Sequence, residues 1–529
     1  MPLWAKSVQI FNAIRENGKQ SIRRLAERTG LSKSSVHRHL QAIDRRDRYP
    51  ESGLWETEEG RIWLLRLVVA TLFIFGLKRG VGADTLSEFF GRLHLEAQVG
   101  CSPSALRSLM QRLERTIVET AAAGEQDGVD HGEIRPIIGA VDATFLQRMM
   151  LVFMDLASGY LVMEEGAVDR TYDTWHALVP ARLKTLGVTV SYLVSDRAKA
   201  LIKLAQTGLD CLSIPDVFHL SHDLAQSYAL AIFSRLRQAQ QALTPAREHL
   251  AIVQASHPGS PQTQQAQAEV ERHEAEVPRW QEVRRAYRTH LANLSLTLHP
   301  WRLVDLTRQT AHKVEHQLQA EVTALETLIA SHGLPAKKKT WEKVYKQLAG
   351  LSALVDFWWQ TVQGDVEHMA LPPRWKHWVD ELLLPLMYWQ HHVSHTRCAD
   401  QKAQITLALK TIQDAFERPP CTGWLGPEVL ADWKAWAADH AKAFQRASSA
   451  VEGRNGYLSQ MQHNHRGLPK CRYPVWTALH NFDCRASDGT TPASRFFRRG
   501  FPDLFESVLL HIDDLPLPRQ RQQALAISD

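Results

Sequence analysis

"IIGAVDATF", Ile137 to Phe145, is a strand-like apolar run with one carboxylate, Asp142, in its middle. An unpaired carboxylate in apolar surroundings is costly, so Asp142 should be hydrogen-bonded, ion-paired or bound to a metal. A second line of the same kind is "VTVSYLVSDRAKALIKLA", Val188 to Ala205, where Asp196 ends an apolar strand just before a helical pattern. Two acids at strand positions in an α/β stretch point to a shared metal site. Outward from them, "RPIIGAVDATF" and "MMLVFMDLASGYLVMEEGAV" read as strands, with turn residues at Ala157-Ser158-Gly159. A helix shaped by Pro180 follows, then the strand ending at Asp196, a helix from Ala198 to Gln206, and a short strand in "CLSIPDVFHL". The order β-β-β-α-β-α-β predicts a mixed sheet flanked by helices.

At 529 residues the chain exceeds one core and divides into several units. Charged residues at 22% and apolar ones at 44% describe a globular protein, not a disordered one. The net charge of +5 is unevenly placed: residues 1–50 hold eleven Lys/Arg against four Asp/Glu, a local +7 that leaves −2 for the rest. A basic N-terminal module on a near-neutral body fits a nucleic-acid anchor. Six cysteines without a CxxC pair suit a reducing compartment rather than a disulfide framework. No signal peptide is visible, and the charge-free run Leu67 to Leu77 is eleven residues, too short for a membrane span and suited to a core helix. No membrane partner is expected.

In the basic module, "SIRRLAERTGLSKSSVHRHLQAI" has Ile22, Leu25 and Ala26, then Gly30 at a turn and Ser32 as an N-cap. Val36, Leu40 and Ile43 form the inner face of the next helix. The segment resembles a helix-turn-helix of bacterial regulators and transposases. That resemblance implies that Lys33, Ser34, Ser35 and His37 approach base edges, with Arg38, Arg45 and Arg46 on or near phosphates. The alternative is a helical hairpin with a solvated basic face. A second helical module follows, with a turn at Gly100, a Ser102 cap and Pro103 in the first turn. It reads either as another DNA-binding unit or as a packing or dimer stripe through Leu106, Leu109 and Leu113.

Residues 223–445 look almost wholly helical. Two long polar helices joined by a Pro/Gly/Ser turn near 256–262 predict an antiparallel coiled-coil hairpin. Beyond it stand Trp341, Trp358, Trp359, Trp375, Trp378 and Trp389. They serve end pairing or DNA contact, or simply fill a helical core.

The third acid is expected on a helix. In "SSAVEGRNGYLSQMQHNHRGLP", Val451, Leu458 and Met461 share one side and Glu452, Asn455 and Ser459 another. "VDAT", "SDRAKAL", "DVFHLSHDLA" and "VEGRNGYL" taken in order resemble the blocks of DDE-type, RNase H-like transposases of bacterial insertion sequences. The resemblance implies a multidomain, mainly α chain whose α/β RNase H-like core is interrupted by a large all-α insertion. The expected divisions are a helix-turn-helix domain at 1–50, a second helical domain at 51–130 and the core's first part at 131–222. The insertion at 223–445, the core's second part at 446–500 and a C-terminal tail at 501–529 complete them.

By the same resemblance, Asp142, Asp196 and Glu452 are the catalytic acids and hold Mg²⁺ or Mn²⁺, two ions in all. Arg454 and Asn455 contact DNA, and His219 touches the phosphate or the leaving group, or else closes a strand–helix junction. Asp155 reads as shaping a hairpin, and Glu165 and Glu321 are weaker competitors for the third acid. The expected activity is cleavage and strand transfer at terminal inverted repeats, by a homodimer or higher oligomer, in a bacterial cytoplasm and nucleoid. A catalytically inactive, transposase-derived DNA-binding protein is the alternative. "HNHRGLPKCR" suggests a basic, DNA-facing loop, and His392, His395 and Cys398 a weak zinc candidate. No GxxxxGK[ST] run appears, so no nucleotide cofactor is expected.

Overall fold

The computed structural model describes residues 3–18, 20–49, 53–55, 57–129, 134–417, 425–445, 447–465, 472–486 and 488–518. The chain is mainly helical, 71%, with one five-stranded mixed sheet. Helices α1 (Leu3–Asn17), α2 (Ile22–Thr29) and α3 (Lys33–Arg48) close on a small core of Ile10, Leu25 and Val36. Gly30 ends α2 at φ 67°, a left-handed conformation that a side chain would strain. The Ser32 hydroxyl then caps α3 by accepting from the Ser35 N–H at 3.2 Å. Leu40 and Ile43 pack against the same core, as their spacing predicts.

Helix α4 (Glu58–Thr71) runs on through a wider π-helical turn at Leu72–Lys78; α5 (Ala83–Arg92) and α6 (Pro103–Gly128) follow. The continuous span Glu58–Lys78 is 21 residues, long and apolar enough by length and composition to cross a membrane. Its helical length exceeds the charge-free run because Arg61 and Arg66 lie within the helix. Leu64, Val68, Val69, Leu72, Phe73 and Leu77 nevertheless bury in the protein's own core. Arg66 donates two hydrogen bonds to Glu506, at 2.7 and 2.6 Å. Leu106, Leu109 and Leu113 of α6 face the same core, so this stripe packs within the chain.

The strands are β1 (Arg135–Phe145), β2 (Met149–Asp155), β3 (Tyr160–Ala167), β4 (Val188–Ser195) and β5 (Leu212–Pro215), in spatial order β3-β2-β1-β4-β5. Strand β2 is antiparallel to β1 and β3, whereas β1, β4 and β5 are parallel. Helices α7 (Tyr172–Thr185) and α8 (Lys199–Lys203) make the crossovers, giving the element order expected from the sequence. Both sheet faces are covered. Ile137, Val141 and Phe153 join one cluster with α6 and α7, while Ile138, Ala140 and Val152 join the other with the later helices. Asp155 is buried at the β2–β3 turn, accepting from the Ser158 N–H at 3.0 Å, the Ser158 hydroxyl and the Ile138 N–H. It shapes the hairpin.

Helices α9 (Val217–Ser256) and α10 (Pro261–Thr297) form the long antiparallel hairpin, turning at residues 257–260. Next come α11 (Ala311–Ser331), α12 (Lys338–His368), α13 (Pro373–Trp378), α14 (Leu384–His395), α15 (Ala399–Phe416) and α16 (Pro427–Ala443). Trp341, Trp358, Trp359, Trp378 and Trp389 are buried in this helical core, and Trp375 packs at its border. Finally α17 (Ser449–His465) and α18 (Tyr473–Phe482) return to the sheet, followed by the short α19 (Pro492–Phe496) and α20 (Leu504–Leu509). The segment expected as a tail is no tail up to residue 518. Leu504, Val508 and Ile512 are buried, and the Pro516 carbonyl accepts from the Gly100 N–H at 2.6 Å.

Candidate functional site

Strand register brings the first two acids level. Ala140 of β1 stands opposite Val194 of β4; Asp142 lies two residues past that pair within β1 and Asp196 two residues past it, just beyond the end of β4. Both therefore lie toward the C-terminal edge of the parallel strands, where α/β sheets place their ligands. Asp196 is the first residue after β4, and Arg197 follows it at φ 60°, a left-handed turn in a non-glycine residue. The turn is held from inside: Asp196 Oδ1 accepts from the Ala198 N–H at 2.8 Å, and the Ser195 hydroxyl accepts from the Arg197 N–H at 3.2 Å.

Helix α17 brings the third acid across. Val451, Leu458 and Met461 are all buried, as their spacing predicts, and this face seats the helix on β1 and β2. Asn455, one turn after Glu452, donates its amide to Asp142 Oδ2 at 2.7 Å. The other oxygen of Asp142 accepts from the Ala143 N–H at 2.8 Å. Burial, with the Glu452 charge next in weight, raises Asp142 to about 6; the Ala143 hydrogen bond and His219 oppose the rise, and Asp196 adds to it. Glu452, His219 and Asp196 thus all act on Asp142, although 256 positions separate Asp196 from Glu452.

His219 lies in the first turn of α9, with Nε2 at 3.3 Å from Glu452 Oε1 and 3.7 Å from Asp216 Oδ2. Asp216 is buried and accepts the hydroxyl of Ser448, just before α17. The N–H of Asp216 donates to Ser195 O at 3.0 Å. A hydrogen-bonded path therefore links the end of β4, the start of α9 and the start of α17. The sequence carried a trace of it in "DVFHL", an acid and a histidine three positions apart at a helix start, but nothing marked Ser448.

Arg454 is placed otherwise than expected. It is buried and makes two hydrogen bonds to the equally buried Glu164 of β3, from Nε at 2.5 Å and from the second guanidinium nitrogen at 2.9 Å. Thr477 Oγ1 adds a donor to the same carboxylate at 3.3 Å. Arg454 is thus a strut between α17 and the sheet, not an exposed DNA contact. A guanidinium one helical turn from the core side of α17 reaches inward because Glu164 offers a bidentate partner there. Asn455, also buried, holds Asp142 rather than facing outward.

Of the competing acids, Glu165 is exposed on β3, and Glu321 of α11 is bonded to His290 and Asn293. In the N-terminal module Lys33, Ser34, His37 and Arg38 are exposed on α3 and Ser35 is half-buried. Arg45 and Arg46 continue α3, and their side chains lie outside the described residues, as does most of the "HNHRGLPKCR" loop. His395 bonds back to the His391 carbonyl at 2.8 Å, and Cys398 is exposed.

The donor set is chemically suited to a hard divalent ion: three carboxylates, with the buried Asn455 Oδ1 left without a partner among the described residues. Among the described residues no three His, Cys, Asp or Glu side chains are already drawn into a closed metal-holding group. Glu452 instead rests against His219.

Residues 6–42 match winged helix-turn-helix DNA-binding domains, and residues 379–524, which include α17, match a family of unknown function (DUF6399). No curated protein matches the chain. With its capped, glycine-turned, three-helix core and exposed basic helix, the N-terminal segment is a helix-turn-helix DNA-binding domain.

Proposed function

We propose that the chain is a DDE-type DNA transposase with an RNase H-like core, cutting and joining element ends that its helix-turn-helix holds. The observation that supports this most is the approach of Glu452, across the long helical insertion, to Asp142, which Asp196 also neighbours. A carboxylate on one strand, a second just past the end of the parallel strand beside it and a third on a returning helix are what the family resemblance implies. In this reading Asp142 would hold two Mg²⁺ or Mn²⁺ ions, Asp196 one of them and Glu452 the other. Bound there, the ions would activate the attacking oxygen and stabilise the leaving oxygen of an in-line displacement at phosphorus.

The chain's own groups prepare that arrangement. Asn455 fixes the Asp142 carboxylate with one amide hydrogen bond. The Arg454–Glu164 strut fixes the helix carrying Glu452, and Asp216 with Ser448 fixes its first turn. His219, beside Glu452, would contact a phosphate oxygen. The working form would be a dimer or higher oligomer pairing two double-stranded ends, in the nucleoid where its DNA lies.

The engagement of Glu452 by His219 favours a second reading, a DNA-binding protein without catalysis. An assay of cleavage and strand transfer on element-end DNA, with Mg²⁺, Mn²⁺ or EDTA, separates the two. Metal-dependent nicking or joining that vanishes in Glu452→Gln while end binding survives is the expected result. End binding without chemistry in either protein and either metal would establish the second reading instead.

A further inference from the structure

A cavity of about 740 Å³ opens at the other end of the sheet from the acids, where β1 begins and β2 ends. Its lining includes Arg135, Lys442, Arg485, Arg495, Arg498 and Arg499. Three carboxylates also reach it, Asp155, Asp439 and Asp488, so the balance is three positive charges. Two of these acids are saturated by their own turns: Asp155 by Ser158 and Ile138, and Asp488 by the N–H and hydroxyl of Thr490 at 2.9 and 2.6 Å. Asp439 faces Lys442 at 3.5 Å.

The arginines divide into those tied to scaffold partners and those without an ion pair. Arg485 is bonded to Asp503, Arg495 to the Ser158 carbonyl and Thr490, and Arg499 to Asp127. Arg135 and Arg498 make no ion pair among the described residues. Arg135 stacks on Phe496, 4.6 Å from the ring centre; burial disfavours its charge, the Asp155 carboxylate opposes that, and Arg498 adds to it more weakly. A half-buried guanidinium, whose nearby carboxylate Asp155 is already hydrogen-bonded within its own turn, and an exposed second one on the same net-positive cleft favour an incoming anion. The cleft is far roomier than one phosphate ion requires, and its open side suits a chain of phosphates.

We propose that this cleft is a second DNA site, in which Arg135 and Arg498 take successive phosphodiesters of a strand passing the sheet's N-terminal edge. The choice of DNA rests on the helix-turn-helix domain and not on the catalytic reading. The site would hold DNA away from the acids, without reading its sequence.

The test uses the full chain in EDTA, with Lys33→Glu and Arg38→Glu silencing the helix-turn-helix, and fluorescence anisotropy of a labelled duplex of arbitrary sequence. Adding Arg135→Gln and Arg498→Glu should weaken binding at low salt about tenfold and lower the slope of log affinity against log salt by about two. Unchanged affinity and slope would overturn the proposal. Because Arg135 packs on Phe496, Arg498→Glu alone, at an exposed turn, is the second variant, with a slope change of about one expected. A final arm adds inorganic phosphate or a mononucleotide. If either raises the unfolding midpoint of the parent but not of the double variant, while duplex binding is the same in both, the cleft takes small phosphates and the DNA assignment fails. Chemistry at the acids is not read in any arm, so failure here leaves the transposase reading standing.

Discussion

Asp142 is ionised at neutral pH against its own burial and the charge of Glu452, which is why it is raised to about 6. An acid raised in the folded state makes the protein less stable as pH climbs from its ordinary value of 3.8 through about 6. Asp142→Asn should therefore stabilise the metal-free protein at pH 8, by roughly 1–2 kcal/mol after allowing for partial solvent screening. Chemical denaturation in EDTA measures this, and lower stability in the variant would contradict it. The same change should remove any gain in stability on adding Mn²⁺. His480 gives the opposite slope: half-buried, and lowered to about 4 by desolvation, it bonds to the Gly159 carbonyl at 2.9 Å. Its contribution is complete above pH 6.5 and is lost as pH falls toward 4, because the unfolded chain binds the proton first. Replacing His480 with Gln should flatten that limb of a stability–pH profile. The Glu164–Arg454 pair is the third test at this scale. Glu164→Ala leaves a buried guanidinium alone and should destabilise by about 3–5 kcal/mol, whereas changing both residues to Gln should cost less.

Elements seat the site through one close approach. A Cβ on Gly350 of α12 would lie 2.9 Å from the Pro215 ring and from the Arg197 guanidinium. The ring cannot yield as a flexible chain end does, so Gly350→Val should push α12 off β5 and cost about 1–3 kcal/mol. It should also disturb the turn that carries Asp196, and weaker metal-induced stabilisation would report that. None of this was legible in the sequence, because Gly350 lies 135 positions from Pro215 and sits inside an ordinary helical pattern. What was legible is what depends on local pattern: the apolar run of β1, the cap at Ser32, and the face Val451–Leu458–Met461. The candidate acids were also legible, since a charge inside an apolar run stands out. Arg454 was misread because position beside Glu452 says nothing of which way a long side chain turns; its partner Glu164 lies 290 positions away. The stretch 501–518 looked like a tail because its helix is only six residues, and its burial comes from α4 and α6 far upstream.

On the scale of the whole molecule, the helical insertion and the sheet share one core. Val194 and Ile214 of the sheet belong to the same apolar cluster as Trp341, Trp358 and Trp389. The other sheet face is closed by helices before and after the insertion, α6 and α18 among them. The helix-turn-helix stands apart, because its core of Ile10, Leu25 and Val36 draws on residues 10–43 alone. The ring stack of Tyr49 on His94, centres 4.1 Å apart, is one contact across this junction. A chain beginning at residue 51 should therefore keep its main unfolding midpoint to within about 2 °C, since a change well below 1 kcal/mol moves a large protein little. On the proposed reading, stabilisation by Mn²⁺ should persist, because every candidate acid lies beyond the cut. Binding to DNA should lose its sequence preference, and what remains should fall steeply with salt, as contacts to phosphates alone do. A midpoint lowered by many degrees would instead mean that the DNA-binding domain is part of the fold it was expected only to guide.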